Sequence, residues 1–311
     1  MPARFFAPRY WASWLGLGLL RLVERLPYGL VLAVGRGIGR LARRLPLSYV
    51  DIARRNMELC LPERSAAERE RLLDRHFESL GISLFESAMA WWSDDRRIER
   101  LSELAGLEHL EAALARGRGA ILLTAHFTTL QIGARILNRR ISTNVLYRPL
   151  KNDLLAYVSG RSFREHSRKA ILHDDVRGMI AALKRNEIVW YASDQSYRKK
   201  GAALVPFFGR PAATNVSTSR LARMTGAAVL YFACERMSGE RGWRATIEPP
   251  FADWPSDDAV ADTMRYHACI EAQVRRVPDQ YWWIHRRFKG LDADYPDYYG
   301  GPQRITRQQS G

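Results

Sequence analysis

One histidine stands where a strand-like run gives way to a helix-like one. Residues 119–140 read GAILLTAHFTTLQIGARILNRR, and the histidine is His126. Ala120 to Ala125 are apolar apart from one Thr and rich in Ile and Leu, the composition of a buried strand. Beyond His126, Leu130, Ile132, Gly133, Ile136 and Leu137 recur roughly at helical spacing. A side chain at this junction lies at the carboxyl edge of its strand, where α/β sheets bind ligands. An imidazole there can take a proton from a hydroxyl, with the N–H groups of the helix start close by. Taken alone, His126 reads more readily as an ordinary residue closing a βα turn; the polar groups further along change that balance.

Two further strand-like runs end in polar groups. STNVLY (142–147) runs into Arg148, and EIVWYASDQ (187–195) ends in Asp194 and Gln195. If these strands are parallel neighbours, a base, a cation and a carboxylate or amide face one crevice. That set suits acyl or phosphoryl transfer better than redox or metal chemistry. There is no GxGxxG after a strand, no Walker A, no GxSxG and no HExxH, which removes the common nucleotide and hydrolase readings.

The elements that must hold these groups follow from pattern. Residues 51–118 read as helical. Ser65 with Glu68 forms a capping-box start before Leu72, Leu73, Phe77 and Leu80, and LSELAGLEHLEAALARG (101–117) reads as a short helix. After the central stretch come a helix over 150–168 carrying Arg161 and Arg164, a short strand, and a helix capped near Asp174 or Asp175. LVPFFGRPAATN (204–215) reads as a turn leading into a helix over 216–225. Strands over 227–236 and 243–250 flank a hairpin turn, and an amphipathic helix spans 257–276. PDQYWWIHRRFKG (278–290) concentrates aromatic and basic side chains, and 291–311 reads as a loose polar tail. The expected fold class is α/β, with a mixed, mostly parallel central sheet flanked by helices.

The 311 residues are 47% hydrophobic, enough for a sizeable core. A net charge of +15, carried far more by Arg than by Lys, calls for an anionic partner. The basic residues are mixed with Trp, Leu and Gly and form no stacking platform, which favours a membrane and lipid over nucleic acid. Cys60, Cys234 and Cys269 have no metal-like spacing. Residues 1–50 stand apart, with eight Arg, one Glu and the apolar run WASWLGLGLL. Neither apolar run there reaches the length that defines a spanning helix, and no signal cleavage site follows. The segment reads as a membrane-associated helix pair, Trp11 and Trp14 at headgroup level and Arg40, Arg43 and Arg44 on phosphates. The expected organisation is therefore 1–50 membrane-associated helices, 51–290 an α/β domain, and 291–311 the tail.

AHFTTLQIGARIL, YRP, SDQSYRKKG, PFFGRPAATN and PDQYWWIHRRFK, in that order, resemble the late acyltransferases of lipid A biosynthesis, the lauroyl/myristoyl transferase family of the Gram-negative inner membrane. The resemblance implies an enzyme on the cytoplasmic face of that membrane. It would move a fatty acyl chain from acyl carrier protein onto a hydroxyl of a phosphorylated, acylated glucosamine disaccharide, without a metal or organic cofactor. His126 would be the general base. Arg148, Arg161 and Arg164 would bind substrate or stabilise the oxyanion, with Asp194 and Gln195 lining the site. The family pattern places an acidic residue five positions after the histidine, and here that position is Gln131. An amide can orient the ring but brings no charge, so Gln131→Glu is expected to raise turnover. Alternatively Asp194 takes the acidic role, the enzyme is slow or serves another acceptor, or the chain is an impaired paralogue that binds lipid without transferring.

Overall fold

The computed structural model describes residues 1–148, 150–292 and 294–300. Two short 3-10 turns at Ala3–Phe6 and Pro8–Tyr10 lead into α1 (Trp11–Val23) and α2 (Tyr28–Arg44), separated at Pro27. Next come α3 (Ser48–Cys60) and the long α4 (Ala66–Trp92), which starts on the expected capping box: Ser65 Oγ accepts from Glu68 N–H, and Glu68 returns a carboxylate to Ser65 N–H. The chain then forms α5 (Asp95–Arg100), β1 (Ser102–Ala105), α6 (Leu107–Ala115), β2 (Ala120–Thr124), α7 (Leu130–Asn138), β3 (Thr143–Tyr147), α8 (Asp153–His166), β4 (Lys169–Leu172), α9 (Val176–Lys184) and β5 (Ile188–Ala192). It closes with β6 (Ala202–Phe207), β7 (Arg210–Asn215), α10 (Ser217–Thr225), β8 (Ala228–Arg236), β9 (Trp243–Ile247) and α11 (Ala259–Arg276).

Seven strands form the central sheet in the order β1-β9-β8-β2-β5-β3-β4. Every neighbouring pair is parallel except β8–β9, the hairpin. The fold is thus α/β with a mixed, mostly parallel sheet. All five residues of β2 are buried, as a strand covered on both faces requires. One apolar cluster joins Leu123, Val229 and Tyr231 to α3, α9 and α11; the other joins Leu122, Leu230 and Trp190 to α2, α4 and α7.

Three expectations need correcting. Residues 101–117 hold a strand as well as a helix, since Ser102–Ala105 pairs in parallel with β9 at the sheet edge. LVPFFGRPAATN falls in an antiparallel hairpin: Leu204 opposes Ala213, and Phe207 and Arg210 close the turn at Phe208-Gly209. Part of the expected polar tail is also packed. The Tyr299 hydroxyl donates to Asn56 Oδ1 at 2.5 Å, and Tyr295 donates to the Pro211 carbonyl. Residues 301–311, and Pro149 of the YRP motif, lie outside the described residues.

The first two helices pack on the body of the fold. Helices α2 and α4 cross where glycine meets glycine: a Cβ on Gly39 would lie 2.1 Å from the Phe77 carbonyl oxygen, and one on Gly81 2.1 Å from that of Gly35. Beside this crossing lies a buried polar cluster. Arg236 at the end of β8 donates to both carboxylate oxygens of Glu86 on α4, at 2.5 and 2.7 Å. Glu86 also accepts from the Tyr28 hydroxyl of α2 (2.9 Å) and from Trp243 Nε1 (2.8 Å). The third Arg236 contact, 2.8 Å to Ser79 Oγ, continues through a 2.9 Å hydroxyl pair to Thr128, two residues past His126.

The outward sides of α1 and α2 are apolar. Trp11, Leu15, Leu19 and Leu22 on α1, and Leu30, Val34, Ile38 and Leu41 on α2, recur every three or four residues and are exposed. Among the described residues no helix is long and apolar enough to cross a membrane.

Candidate active site

Strand β2 ends at Thr124 and the chain turns through His126–Thr129 before α7 begins. The turn is pinned from the far end of the chain. Phe127 pairs with Tyr281 in an isolated antiparallel bridge, Trp282 N–H donates to the His126 carbonyl at 2.9 Å, and Thr128 N–H donates to the Gln280 carbonyl at 2.8 Å. Thr129 Oγ1 donates to the Cys234 carbonyl at 2.6 Å. The ring is thereby presented from a backbone with little freedom, while its side chain stays 28% exposed.

Strand β5 lies beside β2 in parallel register, Thr124 opposite Ala192, so Asp194 leaves its strand at the same edge as His126. Asp194 Oδ1 accepts from His126 Nδ1 at 2.6 Å. Its other oxygen accepts from the His126 backbone N–H (3.1 Å) and from the Tyr281 hydroxyl (3.1 Å). The carboxylate is 1% exposed. Burial pushes its pKa up, but the His126 ring and the hydrogen bonds from it, with Arg287 beyond, outweigh burial and hold it at about 2. A carboxylate on Nδ1 fixes the ring proton there and leaves Nε2 with its lone pair free. This is the arrangement of a general base with its orienting acid.

His126, Asp194 and Gln195 line one cavity together with Asn56, Cys60, Phe207, Tyr281, Trp282, Trp283, His285 and Arg287. The last five come from the 278–290 segment, whose aromatic and basic content stands out in the sequence without a role for any one residue. His285 Nε2 accepts from Ser196 N–H at 3.0 Å. Arg287 is 2% exposed and donates to the Ala213 carbonyl (3.0 Å) and Thr214 Oγ1 (2.7 Å) of the β7 strand.

The other expected site residues lie apart. Gln131, on α7, makes no hydrogen bond to His126 among the described residues. It lines a second cavity with Trp91, Arg135, Phe163 and His166. The ring's partner in the structure is therefore Asp194, 68 positions along the chain, and not the amide five residues on. Arg148 follows β3, one strand beyond β5 on the side away from β2, and is exposed. Arg161 and Arg164 are exposed on α8, and Arg161 is engaged with Glu165 at 2.6 Å. None of the three lines the His126 cavity. Among the described residues no cluster of His, Cys, Asp or Glu could hold a metal ion.

The family model of the bacterial lipid A biosynthesis acyltransferases matches residues 2–290. The chain is 39% identical over 293 residues to the lipid A biosynthesis lauroyltransferase of Escherichia coli K12, covering 94% of this chain and 96% of that one. It is 38% identical over 286 residues to the palmitoleoyltransferase of the same organism, covering 92% and 93%. A lipid A biosynthesis acyltransferase of Haemophilus influenzae is 35% identical over 302 residues, 95% of this chain and 96% of that one.

Proposed function

The chain belongs to the bacterial lipid A biosynthesis acyltransferases, and from that premise we propose that it transfers a fatty acyl chain from acyl carrier protein to a hydroxyl of a lipid A precursor, with His126 as general base and Asp194 as its orienting acid. The observation that carries this reading is the 2.6 Å contact between His126 Nδ1 and the buried Asp194 at the carboxyl ends of two adjacent parallel strands. His126 Nε2 takes the proton of the acceptor hydroxyl as its oxygen attacks the thioester carbonyl. The tetrahedral intermediate collapses with loss of the carrier thiolate, which takes the proton back from Nε2. Asp194 stays ionised throughout and stabilises the imidazolium while it exists. The charge that Gln131 lacks at the motif position is supplied by Asp194, which supports a working enzyme over an impaired paralogue.

The apolar stripes of α1 and α2 fit a helix pair lying in the interface of the inner membrane, with Arg44 near lipid phosphates. Arg40 and Arg43, expected there too, are paired instead with carboxylates of α4, Arg40 with Glu78 at 2.6 Å and Arg43 with Glu70 at 2.8 Å and Asp74 at 3.0 Å. An exposed apolar face of this extent on a basic protein suits attachment to one leaflet, on the cytoplasmic side where the carrier protein resides. Mass spectrometry of lipid A from cells with and without this chain tests the reading. One acyl group is expected to be lost on deletion and restored by the wild-type chain but not by His126→Ala. Lipid A of unchanged mass in the deletion strain would refute it.

A further inference from the structure

The reaction above needs a donor for the oxyanion that forms on the thioester carbonyl. The arginines that the sequence suggests for this task are exposed and stand outside the His126 cavity. Within the cavity the geometry points to His285 as the oxyanion donor, through its Nδ1–H. This inference rests on the acyl-transfer reading and extends it.

Three observations carry it. His285 lines the same cavity as His126, on the segment whose Trp282 N–H and Tyr281 hydroxyl already hold His126 and Asp194. Its Nε2 accepts a hydrogen bond from the Ser196 backbone N–H at 3.0 Å. A backbone amide can only donate, so the ring proton sits on Nδ1, and Nδ1 makes no hydrogen bond to any described residue. The residue is held by its backbone as well, because Asn56 Nδ2 donates to the His285 carbonyl at 2.7 Å and to that of Trp283 at 2.6 Å. The donor is therefore positioned before substrate arrives, which is what makes such a group effective.

The surroundings keep this imidazole neutral. Burial lowers its pKa to about 4, the nearby Asp194 carboxylate opposes that only in part, and His126, Arg287 and Lys289 add to the lowering. Of the groups packed around it, Ser196 contributes only its amide, and Tyr281 is a buried phenol. A neutral N–H donor does not compete with His126 for the substrate proton. It strengthens as negative charge builds on the carbonyl oxygen, so its contribution falls on kcat more than on KM. Arg287 adds a fixed positive charge behind it, buried and with no carboxylate within ion-pair distance among the described residues.

Two amide substitutions separate catalysis from scaffolding. In His285→Asn the amide nitrogen overlies Nδ1 and keeps the donor while losing the acceptor for Ser196. In His285→Gln the amide oxygen overlies Nε2 and keeps that acceptor while losing the donor. Turnover of purified full-length protein in detergent, with lauroyl-acyl carrier protein and a lipid A precursor, is expected to fall about 10²–10³-fold in the Gln variant at nearly unchanged KM, the range for one oxyanion donor. The Asn variant is expected to retain at least tenfold more kcat than the Gln variant. Added imidazole is expected to restore part of the turnover of His285→Ala, which also covers a Gln variant that folds poorly. Equal losses in the two amide variants, or a better Gln variant, with no imidazole rescue would overturn the inference while leaving His126 and Asp194 in place. A wild-type chain that transfers nothing overturns the acyl-transfer reading, and the inference falls with it.

Discussion

Replacing Asp194 by Asn exchanges one buried carboxylate oxygen for an amide NH2 group directly beside His126 Nδ1. Asp194 accepts three hydrogen bonds: from His126 Nδ1–H at 2.6 Å, from His126 N–H at 3.1 Å and from the Tyr281 hydroxyl at 3.1 Å. An asparagine has one accepting oxygen. The backbone N–H cannot reverse its role, so that oxygen stays with it, and the Tyr281 hydroxyl can turn to accommodate either atom. The new amide NH2 then faces Nδ1, which can take a hydrogen bond only by surrendering its proton to Nε2. On the proposed mechanism His126 would then present N–H to the acceptor hydroxyl. The same exchange in a Ser-His-Asp enzyme lowers kcat by about 10⁴, equivalent to about 5.4 kcal/mol of barrier. A loss of about 10³–10⁴ in kcat with KM changed less than threefold is expected here. The assay is transfer of radiolabelled laurate from acyl carrier protein to a lipid A precursor in mixed micelles, with thermal unfolding as a control for folding. A folded Asp194→Asn variant within tenfold of wild type would refute the pairing of His126 with this carboxylate as the basis of catalysis.

Gln131→Glu is expected to leave turnover within about threefold of wild type, because the side chain lines the Trp91–Arg135 cavity and not that of His126; a tenfold rise in kcat would tie position 131 to the base after all. Exchanging Leu15 and Ile38 for Asp removes two apolar side chains from the exposed stripes, which at about 1.5 kcal/mol each predicts about a hundredfold weaker partitioning onto phosphatidylglycerol vesicles. Cosedimentation reads this directly, and undiminished binding would argue against α1 and α2 as the docking face. Acid should destabilise the protein from well above the carboxylate range. Burial holds His76 at about 4 and His267 at about 3, so between about pH 6.5 and 4 the unfolded chain binds protons that the folded one does not. Each group then removes about 1.4 kcal/mol of stability per pH unit. The depressed Asp194 adds its own loss only below its unfolded value near 3.8, as the pH falls toward 2. Urea titrations across this range measure the slope, and stability flat from pH 6.5 to 4.5 would contradict the neutral state of these histidines.

Local features are the ones legible in the sequence. The β2–His126–α7 junction shows itself as an apolar run against helical spacing, and the start of α4 as Ser65 with Glu68. The strand β1 does not show itself, because four residues of alternating exposure inside a helix-forming stretch become a strand only by pairing with β9, far along the chain. The β6–β7 hairpin is hidden because Pro206, Gly209 and Pro211 sit where two strands meet a tight turn, and such residues read as loop. The partner of His126 is ambiguous for a different reason. Motif spacing directs attention five residues forward, whereas adjacency of β2 and β5 decides the geometry, and strand order is a tertiary fact. His285 and Arg287 come with the aromatic and basic C-terminal stretch, but nothing in that stretch alone says that it returns to strap the turn after β2.

The Glu86–Arg236 cluster has a practical consequence for anyone trimming this protein. Cutting away the greasy leading helices is the usual route to a detergent-free enzyme. Here the cut would remove the phenol of Tyr28 from a carboxylate that is 1% exposed, and would open the glycine notch at Gly81 to water. The same guanidinium that would lose its shielded neighbour reaches, through Ser79, the hydroxyl of Thr128. The helices with the exposed apolar stripes and the turn that carries His126 are thus joined through this polar cluster, and a shortened form would lose part of the framework around His126 along with those stripes.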